Sequence, residues 1–177
     1  MDESRKKQMK IVAACGLLLA AGVIGATRWR GAFDNGEADP KVYFYDLSEK
    51  RLYALPRGSV PPDSGIGGEN GDGVHAVVVA PASATKDESK RRIAYLETYT
   101  PELHEKLAAI AAAKKAGKGA GVKGPSGDDP FVLKNTLVRR EGESVWHDMT
   151  TPEGRKVITE WTSWRDDAGK PLVVVTP

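Results

Sequence analysis

The chain has 177 residues, room for one compact domain with tails, and its composition of 40% hydrophobic and 28% charged residues excludes wholesale disorder. Lys plus Arg (26) nearly cancel Asp plus Glu (24), and a net charge of +2 excludes the basic footprint of a dedicated nucleic-acid binder. A single cysteine excludes an intramolecular disulfide and any multi-cysteine metal site.

Residues 1–10 form a basic N-terminus, with Arg5, Lys6, Lys7 and Lys10. An uncharged run from Ile11 to Thr27 follows, containing Leu17, Leu18, Leu19, Val23 and Ile24. At about 1.5 Å per residue the run is about 25 Å long, the short end of what spans hydrocarbon. Trp29 stands where an amphipathic ring favours the headgroup layer, and Arg28 and Arg30 snorkel to the same depth. The excess of Lys and Arg before the run predicts a cytoplasmic N-terminus. The first reading is a retained signal-anchor helix over 11–27, crossing the inner (cytoplasmic) membrane once. The competing readings are a cleaved signal peptide, with small residues at Ala20-Ala21-Gly22 and Val23-Ile24-Gly25, and a buried helix of a water-soluble fold. Val12-Ala13-Ala14-Cys15 looks like a lipobox, but only Ile11 to Ala14 precede the cysteine, too short an apolar stretch for cleavage there. Cys15 reads as a small apolar residue of the membrane helix.

Residues 28–40 read as a linker and 41–177 as one extracytoplasmic domain. Lys41 to Leu55 predicts a β-hairpin, with Leu47 to Lys50 turning. Residues 56–73 and 114–129, rich in Gly and Pro or in Gly and Lys, predict flexible loops. Val74 to Ala80 (VHAVVVA) predicts a central strand buried on both faces. Lys86 to Tyr99 reads as a helix, from Ile93, Leu96 and Tyr99 on one side. Thr100-Pro101-Glu102 opens a second helix, with Thr as cap and Pro at the first position, and Gly117 ends it. Phe131 to Arg140 and Val145 to Met149 read as strands. Thr151-Pro152-Glu153 repeats the helix-start chemistry, and Val157, Trp161 and Trp164 give that helix an apolar stripe. Leu172 to Val175 closes the order β-β-β-α-α-β-β-α-β, an α+β domain with one sheet and about three helices, mainly on one side.

No motif names a reaction. His75, His104 and His147 lie on different elements without ligand spacing and read as structural or surface histidines. Gly67 to Asp72 resembles one calcium-binding nonapeptide turn, but such turns work in stacked arrays. Gly117 to Gly124 lacks the Walker spacing; with Lys114, Lys115, Lys118 and Lys123 it is a basic linker. No Gly-x-Ser-x-Gly elbow is present, and the carboxylate pairs Asp87-Glu88, Asp128-Asp129 and Asp166-Asp167 sit at turns or helix starts. Trp146, Trp161 and Trp164 read first as core; Trp161 and Trp164 are also the candidate partner-binding residues.

Tyr43-Phe44-Tyr45-Asp46 with Leu52-Tyr53, then Arg92 to Thr100 (RIAYLETYT), then Leu137-Val138-Arg139-Arg140 before Trp146 and Pro152-Glu153-Gly154, resembles small anchored or exported proteins of planctomycete-like bacteria. The resemblance covers most of residues 41–164 and implies no activity. The acid-free run from Ile11 to Thr27 is unlike the opening helix of pilins and pseudopilins. The expectation is a single-pass envelope protein without catalytic, cofactor or metal residues. Lys6, Lys7, Lys10, Arg28, Trp29 and Arg30 flank its membrane span. Its partners are the bilayer, through 11–27, and other envelope proteins. The alternative is an extracytoplasmic enzyme or a small-ligand or metal-binding domain.

Overall fold

A computed structural model describes residues 40–68, 71–117 and 124–177. No helix among them is long and apolar enough to cross a membrane. The run at 11–27 and its flanking residues Lys6, Lys7, Lys10, Arg28, Trp29 and Arg30 lie outside the described residues, as do Glu69 and Asn70 of the calcium-like turn and Lys118 and Lys123 of the basic linker.

The chain folds as an α+β domain around a seven-stranded antiparallel sheet. Strands β1 (Lys41–Asp46) and β2 (Arg51–Pro56) form the expected hairpin, in register from Lys41↔Pro56 to Asp46↔Arg51. Aromatic and β-branched residues in Val42 to Tyr45 fit the pleat, and Lys50 takes the left-handed conformation (φ 52°) that lets the chain reverse. Asp46, 1% exposed, fixes that reversal. Its Oδ1 accepts from the Ser48 amide (3.0 Å), the Ser48 hydroxyl (2.9 Å) and the Glu49 amide (2.8 Å). Its Oδ2 accepts from the Ile66 amide at 2.7 Å, 20 positions along the chain. Residue 65 must therefore be glycine: its φ is +70°, and a methyl group there would stand 2.5 Å from Asp46 Oδ2. The 56–73 loop is further tied where the Asp63 and Gly73 amides donate to each other's carbonyls at 2.7 and 2.9 Å.

Strand β3 (Gly73–Pro81) is the central strand read from VHAVVVA, with six of its residues from Ala76 to Ala80 and Val74 almost wholly buried. One edge carries β1, at Gly73 to His75, and β7 (Leu172–Val175), at Val78 to Pro81; the other carries β4 (Arg92–Tyr99). One face gathers Tyr43, Tyr45, Val74, Ala76, Val78, Leu96 and Val175. The opposite face gathers Val77, Val79, Tyr95, Val138 and Leu172. On β7, Val173 and Val174 are each 37% exposed, and Pro171 precedes the strand.

The helix expected over 86–99 is a strand. Residues Ala82–Ala84 and Glu88–Lys90 form single 3₁₀ turns, and β4 then runs antiparallel to β3. The helical reading took Ile93, Leu96 and Tyr99 at three-residue spacing; the unbroken apolar run Ile93-Ala94-Tyr95-Leu96 instead fills both faces of a sheet interior. Ala94 is the extra residue of a bulge, since Val77 faces Tyr95 and Val78 faces Ile93. Helix α1 (Pro101–Lys115) starts and stops as expected, with Gly117 at φ +70° just beyond it. Thr100 makes no side-chain cap: its hydroxyl donates to Asn135 Oδ1 at 2.8 Å, tying α1 to the start of β5.

The strand expected over 131–140 divides. Asp129 accepts from the Phe131 amide and Pro130 takes the first helical position, so Pro130–Lys134 turns into a short helix, α2. Only Thr136–Arg139 remains strand, as β5. The strand expected over 145–149 shrinks to β6 (His147–Asp148). Leu103 and Leu107 of α1 pack with Val132 of α2 beside Tyr99. Helix α3 (Pro152–Glu160) is capped by Thr151, which accepts from the Gly154 amide at 3.1 Å, and it lays Val157 on the Val77 face of the sheet.

The amides of Glu49 and Ile66 hold the Asp46 carboxyl below its usual range, outweighing burial. A depressed carboxyl stabilises the fold above its unfolded value, about pH 4, and loses that contribution as pH falls through the folded value. Asp46→Asn is expected to cost about 2 kcal/mol at pH 7, because its NH2 would face a donor, and to flatten the acid limb of stability. Urea unfolding from pH 3 to 7 measures both.

Candidate functional site

Two arginine doublets stand at strand ends: Arg91-Arg92 where β4 begins and Arg139-Arg140 where β5 ends. Neighbouring residues of an extended chain point to opposite sides, so each doublet sends one guanidinium to each side. Arg139 lies over the Trp146 ring at 4.4 Å and donates to the Glu143 carbonyl at 2.6 Å. Arg140 reaches to the end of α3, where Nε and Nη2 clasp the Glu160 carboxylate at 2.5 and 2.6 Å and Nη1 donates to Glu143 at 2.9 Å. The single Nη1 hydrogen bond from Arg140 holds the Glu143 carboxyl below its ordinary range. Arg91 lies over the Tyr43 ring at 5.4 Å and pairs with Glu88 at 2.8 Å. Arg92 stacks on Trp164, 4.2 Å from the ring centre.

Between these groups lies an open groove of about 550 Å³. The hairpin supplies Tyr45, Lys50 and Leu52; the start of β4 supplies Arg91 to Ala94; Arg140 and Glu141 follow β5; Glu160 and Trp164 come from the end of α3 and the turn after it. Four cations (Lys50, Arg91, Arg92, Arg140) face two carboxylates (Glu141, Glu160). Glu160 is held by Arg140, and Glu141 lies beside the Tyr45 phenol, which burial first and Glu141 second push above its ordinary value. Among the described residues, neither Lys50 nor Arg92 has a carboxylate partner. The groove combines an apolar floor with two cations, Lys50 and Arg92, that form no ion pair among the described residues.

Trp161 and Trp164 are both half-buried and pack against the sheet. The Trp161 indole N–H donates to the Ile158 carbonyl at 3.0 Å, and only Trp164 lines the groove. Trp146 packs on the Tyr45 face beneath Arg139. His104 Nδ1 donates to the Pro61 carbonyl at 3.1 Å, a tie between α1 and the 56–73 loop. The strand register puts Tyr53, Phe44, His75, Glu97, Val138 and His147 in one row across β2 to β6. His75 Nδ1 stands 4.0 Å from Glu97, onto which Tyr99 also donates at 3.4 Å. His147 is three strands from His75, about 14 Å at ordinary strand spacing, too far to share a ligand. No group of three His, Cys, Asp or Glu among the described residues is placed to hold a metal ion.

Sequence reasoning named Trp164 but missed Lys50, Arg92 and Arg140. The two arginine doublets were the available signal, each at the end of an apolar run.

The Arg140–Glu160 clasp joins β5 to α3 and is expected to show a coupling of about 1–2 kcal/mol in an alanine double-mutant cycle. The Arg91–Glu88 pair, with its Glu88 side chain 84% exposed, is expected to couple by less than about 0.5 kcal/mol. Urea unfolding of the two sets of variants makes the comparison.

No protein-family model, curated protein or solved structure matches this chain.

Proposed function

We propose that this protein is a membrane-anchored binding module of a bacterial envelope. Residues 11–27 form the anchor in the inner membrane, with Lys6, Lys7 and Lys10 on the cytoplasmic side and Arg28, Trp29 and Arg30 at the outer interface. The α+β domain faces the periplasm and binds another envelope component, without catalysing a reaction. The observation that carries the binding role is the groove beside Trp164, where an aromatic ring, an apolar floor and two cations without carboxylate partners meet. Aromatic and arginine side chains are the groups that dominate binding surfaces. The resemblance to anchored or exported planctomycete-like proteins agrees with this placement. The rival reading, an extracytoplasmic enzyme or small-ligand binder, rests on His75 and Tyr99 both approaching Glu97.

The full chain is expected to sediment with membranes and to resist alkaline extraction, and its domain to be digested by protease added to spheroplasts. A soluble chain cut near Gly22 or Gly25 would overturn the anchor. Crosslinking in native membranes, followed by purification in mild detergent, is expected to retain a stoichiometric envelope protein that Trp164→Ala loses. Recovery of the chain alone would overturn the binding role.

A further inference from the structure

We infer that the groove takes an extended acidic peptide segment of the partner protein, an inference that rests on the binding-module reading. The first ground is charge. Glu160 is paired with Arg140 and Glu141 lies beside Tyr45, and neither forms an ion pair with Lys50 or Arg92. Arg91 stacks on Tyr43, and its one ion-pair partner among the described residues, Glu88, is itself 84% exposed and readily exchanged for another carboxylate.

The second ground is distribution. The cations not clasped across the groove come from separate elements, Lys50 from the hairpin turn and Arg91 and Arg92 from the start of β4; Arg140, at the exit of β5, is already held by Glu160 and Glu143. They line one open groove from different walls. A single phosphate is best held by donors that converge on it. Cations strung along a trough match carboxylates strung along a chain, which in an extended peptide recur on one side every second residue, about 6.5–7 Å apart.

The third ground is the floor. Leu52, Ile93 and the exposed part of Trp164 give the stems of glutamate side chains, and any apolar residue between them, a surface to cover. Trp164 is held in place by its packing on the sheet and by Arg92 above it, so little ordering is needed when the segment arrives.

The probe is fluorescein-labelled decaglutamate, titrated against the purified full chain in dodecyl maltoside and followed by anisotropy. Saturable binding is expected at 50 mM salt, weakening steeply by 300 mM. The double variant Lys50→Gln/Arg92→Gln is expected to bind at least about ten-fold more weakly, while Lys156→Gln, on the exposed side of α3, binds as the parent does. Circular dichroism checks that each variant is folded. Absence of decaglutamate binding, or equal binding by the double variant, would overturn the inference. So would displacement of the labelled peptide by millimolar phosphate or by phosphatidylglycerol in mixed micelles but not by unlabelled decaglutamate, which would assign the groove to phosphate groups. If decaglutamate fails while the crosslinked partner is still lost on Trp164→Ala, the acidic-segment inference falls and the binding-module reading stands. If both fail, both fall.

Discussion

The carboxylate of Asp46 is the constraint on which the site depends. It is buried, yet it needs no counter-ion, because three amides and one hydroxyl supply four hydrogen bonds to its two oxygens. One oxygen shapes the turn between β1 and β2; the other fastens the loop that leads into β3. That single group therefore sets the hairpin against the centre of the sheet. Tyr45, Lys50 and Leu52, one wall of the groove, hang from that hairpin. A charge at this place is tolerated only because backbone donors that would otherwise be unpaired converge on it.

The two faces of the sheet are covered by different means. The Val77 face receives α3 and the two tryptophans after it, an ordinary helix-on-sheet layer. The Tyr45 face gathers no helical residue in its cluster among the described residues; it is flanked by Leu47, Leu52, Ile93 and Trp146, with guanidinium groups lying over Tyr43 and Trp146. Arginine stems cover apolar surface while their heads remain polar, so this cover also concentrates positive charge. The groove opens where the two arrangements meet, at the start of β4, beyond the last β5 pairing at Leu96↔Arg139.

Much of the fold was legible locally. The hairpin, the central strand, α1, α3 and β7 each carry a signal within their own residues: β-branched runs, a prolyl first turn, a terminating glycine. Two errors share one cause. In 86–99 the three-residue spacing of Ile93, Leu96 and Tyr99 imitates a helix face, whereas the burial of Ile93 to Leu96 on both sides of the sheet is a tertiary fact. In 131–140 an apolar run hid the Asp129-Pro130 start signal. The groove was hardly legible at all. Its walls join residues 45–52, 91–94, 140–141 and 160–164, and only the strand register brings these together. Trp164 was visible as an unusual residue; Arg92 and Arg140 were ordinary charges until their neighbours were known.

The attachment of β7 to β3 bears on how the domain assembles. Val78 pairs with Val175, 97 positions later, whereas β1 and β4 reach β3 from nearby in the chain. Bringing such distant segments together is entropically unfavourable before any contact rewards it, and folds with many remote pairings acquire structure slowly. Until β7 arrives, one edge of Val78 to Pro81 stands open in the most apolar strand of the molecule. An open edge of that kind pairs readily with any extended chain nearby. The central strand that secures the finished sheet is thus also its most vulnerable part during biogenesis, and the domain is sticky until residues 172–175 have docked.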